Sequence, residues 1–153
     1  MESLKALFKK HQVIALDTCV WIYHFEQKPE FADITRQILT VVVKGQCKAI
    51  ASELTLMELI TGPLKLGRQD MADEYETLLT HYPNLTLAPV TRTILLDAAR
   101  IRSLYGIRTP DAIHLATARD CGATLMVTND LSWSKYPDLE SICLSTIMQK
   151  PSG

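Results

Sequence analysis

The sequence predicts a single α/β domain in which helices pack against a mostly parallel sheet in a layer sandwich. Short apolar runs alternate with longer segments of helical periodicity, and this alternation requires crossover connections between parallel strands. The chain has 153 residues, of which 47% are hydrophobic and 22% are charged, as is typical of a soluble globular protein. No internal repeat or linker-like change of composition divides it. We therefore expect one domain over residues 1–153, with a core at about 13–147.

Five apolar runs have the length and composition of strands. Each is short and bounded by polar or turn-forming residues, which favours a strand buried in a sheet. The predicted strands are residues 13–17, 48–52, 85–90, 124–130 and 141–147. We expect residues 13–17 and 124–128 to be neighbouring parallel strands in one sheet.

The segments between these strands repeat apolar residues with the period of an amphipathic helix. Over residues 31–45 the predicted apolar stripe is Phe31, Ile34, Ile38, Leu39 and Val42. Over residues 91–106 it is Ile94, Leu95, Ala98, Ile101 and Leu104, and Gly106 is the expected C-cap. Two further helices are predicted, one over 52–62 that begins at a Ser52 cap and one over 63–83 that Pro83 ends.

The last predicted helix, in the stretch "RTPDAIHLATA", begins with an acid although its next residues are small or apolar. Thr109 is the expected N-cap and Pro110 the first helical residue, which places Asp111 in the first turn. An Asp there stabilises the helix dipole and needs no other role. It can also belong to a functional site, and the other acids of the chain favour that second interpretation.

Four acids are predicted to lie at one edge of the sheet. Asp17 ends the first strand, Asp130 follows the fourth, Glu58 interrupts an apolar helix after the second, and Asp111 begins the helix that leads into the fourth. Ligands of open parallel sheets bind outside the carboxyl ends of the strands. No basic residue adjoins Asp17, Glu58 or Asp130 in sequence, and a close carboxylate pair repels by roughly 3 kcal/mol. A divalent cation that prefers oxygen ligands, Mg²⁺ or Mn²⁺, is the expected compensation.

Each of these acids also has a purely structural explanation. Asp17 can cap a helix that begins near Val20, and Asp130 can cap a turn before Trp133. Three other polar residues near the acids have two interpretations each. His114 either acts in the site, by contacting substrate phosphate or orienting Asp111, or is simply packed in the core. Arg108 either reaches a substrate phosphate or is a solvated surface residue. Thr18 is either a helix cap or a hydroxyl of the metal site.

The overall charge argues against a protein that holds nucleic acid by bulk charge, because the chain has 16 Lys and Arg and 17 Asp and Glu, but it leaves room for a local basic patch. The cysteines lack zinc-ribbon spacing, and we expect them to be reduced and buried, as in an intracellular protein; they are Cys19, Cys47, Cys121 and Cys143. The apolar run "VIAL" is too short for a signal-peptide core, and residues 38–43 are too few to span a bilayer. We therefore expect a cytoplasmic protein with no membrane contact.

Several stretches resemble the successive motifs of PIN-domain ribonucleases: "LDTCVWIYHFE", "SELTLMELITGPL", "TPDAIHLATARDCGATLMVTND" and the following Trp133. The resemblance runs from about residue 13 to about residue 147 and is strongest to the toxins of bacterial VapC-type toxin–antitoxin modules. It implies a PIN-like α/β/α fold and a Mg²⁺-dependent endoribonuclease. Cys19 stands where the family often has Asn, and about a dozen residues precede the first strand.

The resemblance also assigns roles to the residues that match its motifs. Asp17, Glu58, Asp111 and Asp130 are the implied catalytic acids. Asp17 and Asp111 are the expected direct metal ligands, and Asp130 a ligand of the same or a second ion. Glu58 binds metal through water or orients the attacking water, and the hydroxyl of Thr128 lies near the metal.

The expected partners are an RNA substrate, a small antitoxin protein and a second copy of the chain in a homodimer. The apolar positions of 34–42 and 71–79 form either a partner groove or ordinary core. The alternative function is a catalytically inactive PIN-like scaffold that binds RNA or protein, and the four intact acids favour the enzyme.

Overall fold

Five parallel strands form one sheet in the computed structural model, which describes residues 4–148. The strands are β1 (Val13–Leu16), β2 (Lys48–Ser52), β3 (Leu85–Ala88), β4 (Leu125–Thr128) and β5 (Glu140–Cys143). Their order across the sheet is β3-β2-β1-β4-β5. Ile14 of β1 pairs with Ala49 of β2 on one side and with Leu125 of β4 on the other. The predicted pairing of β1 and β4 is therefore confirmed, and all five strands have their carboxyl ends at the same edge.

The described residues contain eight α-helices and one 3₁₀ helix. The α-helices are α1 (Leu4–Lys10), α2 (Thr18–Phe25), α3 (Ala32–Val43), α4 (Leu54–Lys65), α5 (Gln69–Thr80), α6 (Arg92–Tyr105), α7 (Thr109–Asp120) and α8 (Leu144–Met148). The 3₁₀ helix is Leu131–Lys135. The outermost residues of the predicted domain, 1–3 and 149–153, lie outside the described range.

Helices cover both faces of the sheet and bury two apolar clusters, so the α/β/α prediction is confirmed. One cluster joins Ile14 and Leu16 of β1 to residues of α1 to α5 and α8. The other joins Ala15 of the same strand to α6, α7 and the 3₁₀ helix. Successive side chains of a strand point to opposite faces, which is why neighbouring residues of β1 belong to different clusters.

Several predicted element boundaries are wrong, and one of them is the start of α4, whose N-cap is Glu53 rather than the predicted Ser52. The predicted strand 141–147 is shorter than expected: it ends at Cys143, and the chain then forms α8. In α8, Ser145 donates from its backbone N (3.0 Å) and its Oγ (2.7 Å) to Asn129 Oδ1.

Pro63 does not begin a helix; it lies in the last turn of α4, and Gly67 at φ 68° separates α4 from α5. Thr109 is the first residue of α7 rather than its cap, because the extended residue before it is Arg108 (ψ 155°).

Two predicted burial assignments also fail. Leu95 and Leu104 of α6 are 48% and 71% exposed, because only Ile94, Ala98 and Ile101 face the sheet. All four cysteines are free, but Cys121 is exposed and Cys19 only partly buried. Among residues 4–148, no helix has the length and apolar character needed to cross a bilayer.

An acidic pair on the α6–α7 face is expected to make stability depend on pH. Burial and a hydrogen bond to Asp97 raise the pKa of Asp120 to about 6. The native state therefore binds more protons than the unfolded state between about pH 4 and pH 6, so this pair costs stability as pH rises through that window. Asp120→Asn should raise the free energy of unfolding at pH 7 by about 1 kcal/mol after solvent screening, and the gain should vanish near pH 4.

Urea unfolding of wild type and Asp120→Asn at pH 4 and pH 7 measures this difference. Glu76→Gln on the exposed face of α5 is the matched control and should change stability little at either pH. A stabilisation of equal size at both pH values would contradict the prediction.

Candidate active site at the carboxyl edge of the sheet

The side chain of Asp17 is held between the ends of the two central strands. Its backbone N donates to Val127 O of β4 at 2.9 Å, which carries the pairing of β1 and β4 one residue past the strand. Asp17 Oδ1 accepts from the backbone N of Thr18 at 2.7 Å, and Oδ2 accepts from Thr128 Oγ1 at 2.8 Å. Asp17 is thus the N-cap of α2, and its second oxygen is held by the last residue of β4.

Asp130 lies at the same edge and is joined to Asp17 through Thr128. Its backbone N donates to Thr128 Oγ1 at 3.1 Å, while its Oδ1 accepts from Ser132 N at 2.9 Å and caps the 3₁₀ helix. The structure therefore brings together Asp17, Thr128 and Asp130, as the sequence predicted. The capping interpretations of both acids hold as well, because each carboxylate caps the helix that follows it.

Glu58 reaches the site from α4 and binds two polar side chains through one oxygen. Its Oε1 accepts from Thr18 Oγ1 at 2.8 Å and lies 2.6 Å from His114 Nε2 of α7. Thr55, one turn before Glu58, lies 3.1 Å from the Thr18 hydroxyl. Thr18 therefore does not cap α2, since Asp17 does; its hydroxyl connects α2 to α4.

His114 is packed, which is one of its two predicted interpretations, and it contacts an acid. That acid is Glu58, which its Nε2 contacts, rather than Asp111. The His114 ring is buried and stacks on Trp133 with ring centroids 6.0 Å apart and planes 23° apart. The ring and the carboxylate of Glu58 thus have a defined orientation, which sequence reasoning missed because residues 58, 114 and 133 are far apart in the chain.

Asp111 in the first turn of α7 is only 7% exposed and pairs with Arg108. The Arg108 Nε donates to Asp111 Oδ2 at 3.0 Å, and the rest of that side chain is 74% exposed. No basic residue adjoins Glu58 in the sequence, but the fold places His114 against it. Arg108, already close to Asp111 in the sequence, pairs with that acid.

The pKa values of the site carboxylates shift in different directions, because their surroundings stabilise the negative charge to different extents. Burial raises the pKa of Asp17 above its usual value, although His114, Thr128 and the Thr18 amide oppose that effect. Burial also acts to raise the pKa of Glu58, but the hydrogen bonds and charge of His114 and Thr18 outweigh it and lower the pKa. The hydrogen bond from Ser132 lowers the pKa of Asp130. Of Asp17, Glu58 and Asp130, only Asp17 has a raised pKa.

The donor chemistry of this edge fits a hard divalent cation. The acids supply carboxylate oxygens and the threonines supply hydroxyls, which are the ligands that Mg²⁺ and Mn²⁺ prefer. Buried Asp17, with its raised pKa, would gain from a nearby cation. Across residues 4–148, however, no three His, Cys, Asp or Glu side chains are arranged as a ready metal-binding group. In the described arrangement, Arg108 is the cation that contacts Asp111.

Asn129 is a further residue of this edge that the sequence did not single out. Its Nδ2 lies 3.2 Å from the Tyr23 hydroxyl of α2, and its Oδ1 accepts from Ser145 of α8. Tyr23 stacks on Phe31 with ring centroids 4.2 Å apart. The only available signal was the position of Asn129 between two predicted site residues, and the structure shows that it joins α2 and α8 to the end of β4.

The fold and this edge define an α/β protein with carboxylates, hydroxyls and one histidine gathered at the carboxyl ends of a parallel sheet. The profile of the PIN domain matches residues 14–139, and the chain belongs to the PIN domain family. No curated protein sequence matches the chain.

Several solved structures share the fold. VapBC2 from Rickettsia felis, bound to a DNA fragment from its promoter, superposes with a TM-score of 0.70 at 18% identity, over 86% of this chain and 98% of that one. A toxin-antitoxin complex from Klebsiella pneumoniae gives 0.62 at 19% identity, over 86% and 97%. VapC20 of Mycobacterium tuberculosis, described as a toxin that cleaves the sarcin-ricin loop, gives 0.62 at 15% identity, over 74% and 86%. At these identities the similarity establishes the fold.

Proposed function

We propose that the protein is a divalent-metal-dependent endoribonuclease, with Mg²⁺ or Mn²⁺ as the cofactor and RNA as the substrate. The observation that carries the proposal is the Thr128 hydroxyl, which donates to Asp17 Oδ2 and accepts from the backbone N of Asp130. This hydroxyl therefore contacts both acids and holds them close together at the edge where parallel sheets bind ligands. Membership of the PIN domain family supports the same assignment.

We assign each of the four acids a role in this reaction. Asp17, Asp111 and Asp130 hold the cation, and Glu58 orients the attacking water through Oε2, because His114 and Thr18 both contact its Oε1. When bound, the metal lowers the pKa of a coordinated water and stabilises charge on phosphate oxygens. Arg108, mostly exposed beside Asp111, is placed to exchange that carboxylate for a substrate phosphate, which arginine binds well.

We also propose that the protein is a toxin whose activity is inhibited by a small antitoxin protein. This proposal is supported by the fold shared with a toxin-antitoxin complex and by a groove of about 620 Å³ between α2, α4 and α5. Apolar side chains line the groove, among them Phe25, Leu66 and Met71, and a partner's amphipathic segment would fit there. Of the apolar positions expected to form either a partner groove or core, Met71 and Tyr75 line this groove, whereas Val42 and Leu79 are core residues.

The remaining expectations complete the proposal. We infer one domain and a cytoplasmic location, and we infer a homodimer for which the exposed Leu96 and Leu104, neighbours on one side of α6, offer an apolar surface. The inactive-scaffold alternative is favoured by one observation, the ion pair between Arg108 and Asp111. A scaffold would keep that pair permanently, whereas the enzyme has to open it when metal binds.

The substitution Asp111→Asn separates the enzyme from the scaffold. If Asp111 holds metal, the metal-free variant should be about as stable as wild type, because Arg108 is exposed and exposed ion pairs contribute little. It should lose most of the stabilisation that added Mg²⁺ or Mn²⁺ confers on wild type. RNA cleavage should fall by orders of magnitude, because the ion is misplaced or absent.

Thermal melts with metal and with a chelator, beside cleavage of several RNAs, measure both effects. Asp73→Asn on the exposed face of α5 is the matched control and should behave as wild type. If Asp111→Asn is destabilised without metal yet cleaves RNA normally, the assignment of Asp111 as a metal ligand is wrong. Wild type that binds RNA and never cleaves it would support the scaffold.

A further inference from the structure

Five lysines lie at the edge of the sheet opposite the acids. Lys5, Lys9 and Lys10 belong to α1, Lys44 follows α3, and Lys48 is the first residue of β2. All five are exposed. These residues, called the lysine surface below, have no part in the site described above, and α1 precedes the segment that matches the PIN domain profile.

The fold brings these lysines together from two distant parts of the chain. Lys5 and Lys9, one helical turn apart, line a hollow of about 240 Å³ with Gln46 on its far wall. Gln46 stands between Lys44 and Lys48 in the loop from α3 to β2. The backbone N of Lys48 donates to Gln12 O at 2.8 Å, which joins the end of α1 to the start of β2.

Few acids lie near the lysine surface in the sequence, and Glu2 is the exception. Residues 3–16 and 34–52 contain no Asp or Glu, and the chain outside the five lysines has eleven basic against seventeen acidic residues. In the part of the chain that the structure describes, none of the five forms an ion pair; the nearby Glu140 pairs with His11 at 3.0 Å. Lys5 and Lys9 are four residues apart on a helix, where like charges are mildly destabilising.

Helix geometry explains only part of this pattern. Lys9 and Lys10 in the last turn of α1, and Lys44 at the C-cap of α3, are favoured by the helix dipoles. Lys5 and Lys48 have no such benefit. The positive charge that helix dipoles do not explain is the kind of clustered charge that binds a polyanion.

The burial of α1 decides which polyanion fits. A membrane-surface helix needs its apolar side chains free to enter the lipid, but Leu7 and Phe8 are 7% and 3% exposed because they pack into the core. The lysines of the helix face solvent. The phosphate backbone of a nucleic acid can pair with these lysines without any apolar contact. A bilayer would gain no apolar contact from Leu7 or Phe8, because both are buried.

We propose that the lysine surface binds the phosphate backbone of RNA and anchors substrate away from the catalytic edge. The inference rests on the proposed ribonuclease function, and it extends that function by a second contact. The acidic edge repels RNA in the absence of metal, and a distant cationic anchor offsets this repulsion. Strand β1 alone separates the two edges by about 13 Å, so an RNA that contacts both must extend several nucleotides beyond the cleaved bond.

The test measures RNA binding separately from cleavage. A labelled stem-loop RNA is titrated with wild type and with Lys5→Gln/Lys9→Gln/Lys44→Gln over a range of salt, with a chelator present throughout. Each lost phosphate contact lowers the salt slope of log K by about 0.7 to 0.9, so the triple variant should lose about two units of slope and roughly tenfold in affinity at low salt. Lys65→Gln/Arg92→Gln/Arg102→Gln removes three charges elsewhere and should retain most of the slope.

The outcomes distinguish this inference from the proposed function. If wild type cleaves RNA with Mg²⁺ but both triple variants bind RNA alike, the lysine surface is not an anchor and the nuclease stands. If wild type never cleaves, yet only the lysine variant loses salt slope, the anchor stands and the nuclease fails. Tighter binding of wild type to vesicles of phosphatidylserine and phosphatidylcholine than to RNA would overturn the assignment of the polyanion.

Discussion

Replacing Asp17 by asparagine is expected to reduce RNA cleavage by about a thousandfold, the scale on which preorganised charge stabilisation acts. Asparagine keeps an oxygen that can accept from the backbone N of Thr18 and so preserves the cap of α2. It removes the negative charge that the cation requires. Single-turnover cleavage of RNA with saturating Mg²⁺ measures the loss, with Asp138→Asn as the matched control on the exposed surface.

The same variant is expected to be at least as stable as wild type at neutral pH. Burial raises the pKa of Asp17 in the native state, so the native state binds protons more readily than the unfolded state and the charged form costs stability as pH rises. The neutral amide of the variant carries no such cost, and the advantage of the variant should shrink as pH falls towards the usual pKa of aspartate. Melting curves from acid to neutral pH test this sign.

Growth of the host reports the same substitution in vivo. Overexpression of wild type should slow growth, because an unrestrained ribonuclease depletes RNA, and Asp17→Asn should relieve the effect. Equal inhibition by both proteins, at matched soluble levels, would point to misfolding stress and count against the toxin.

Replacing His114 by alanine is expected to reduce both stability and turnover. His114 is buried, stacks on Trp133 and contacts Glu58 Oε1 at 2.6 Å. Its loss leaves a cavity and removes a partner from a carboxylate, which together should cost about 2–4 kcal/mol. Turnover should fall at least tenfold with little change in KM, because Glu58 loses the group that orients it and no substrate contact is removed.

His114→Gln provides the control, since its amide can restore a donor to Glu58 without the ring. It should recover part of the turnover and less of the stability, because the stack on Trp133 is still lost. The lowered pKa of Glu58 means that the His114 pair stabilises the native state above the usual pKa of glutamate and loses this effect as pH falls through the lowered value. If His114→Ala lost stability and kept full turnover, His114 would be a packing residue only.

The sequence by itself determined the architecture and the edge at which the acids meet. Alternating strands and helices specify a parallel sheet, and in a parallel sheet every strand ends at the same edge. A residue that follows a strand, such as Asp17 or Asp130, therefore has its position set by its place in the chain. Apolar periodicity also identified the main helices between the strands, because burial of one side is a local property of the pattern.

Only the tertiary structure decided which side chains touch. The contact of Glu58 with His114 and the stacking of His114 on Trp133 depend on how α4, α7 and the 3₁₀ helix pack, and no local pattern encodes that packing. The exposure of Leu95 and Leu104 likewise depends on which side of α6 faces the sheet. The lysine surface arises because the fold joins α1 to the loop before β2, and a near-zero net charge concealed it, since net charge carries no information about position.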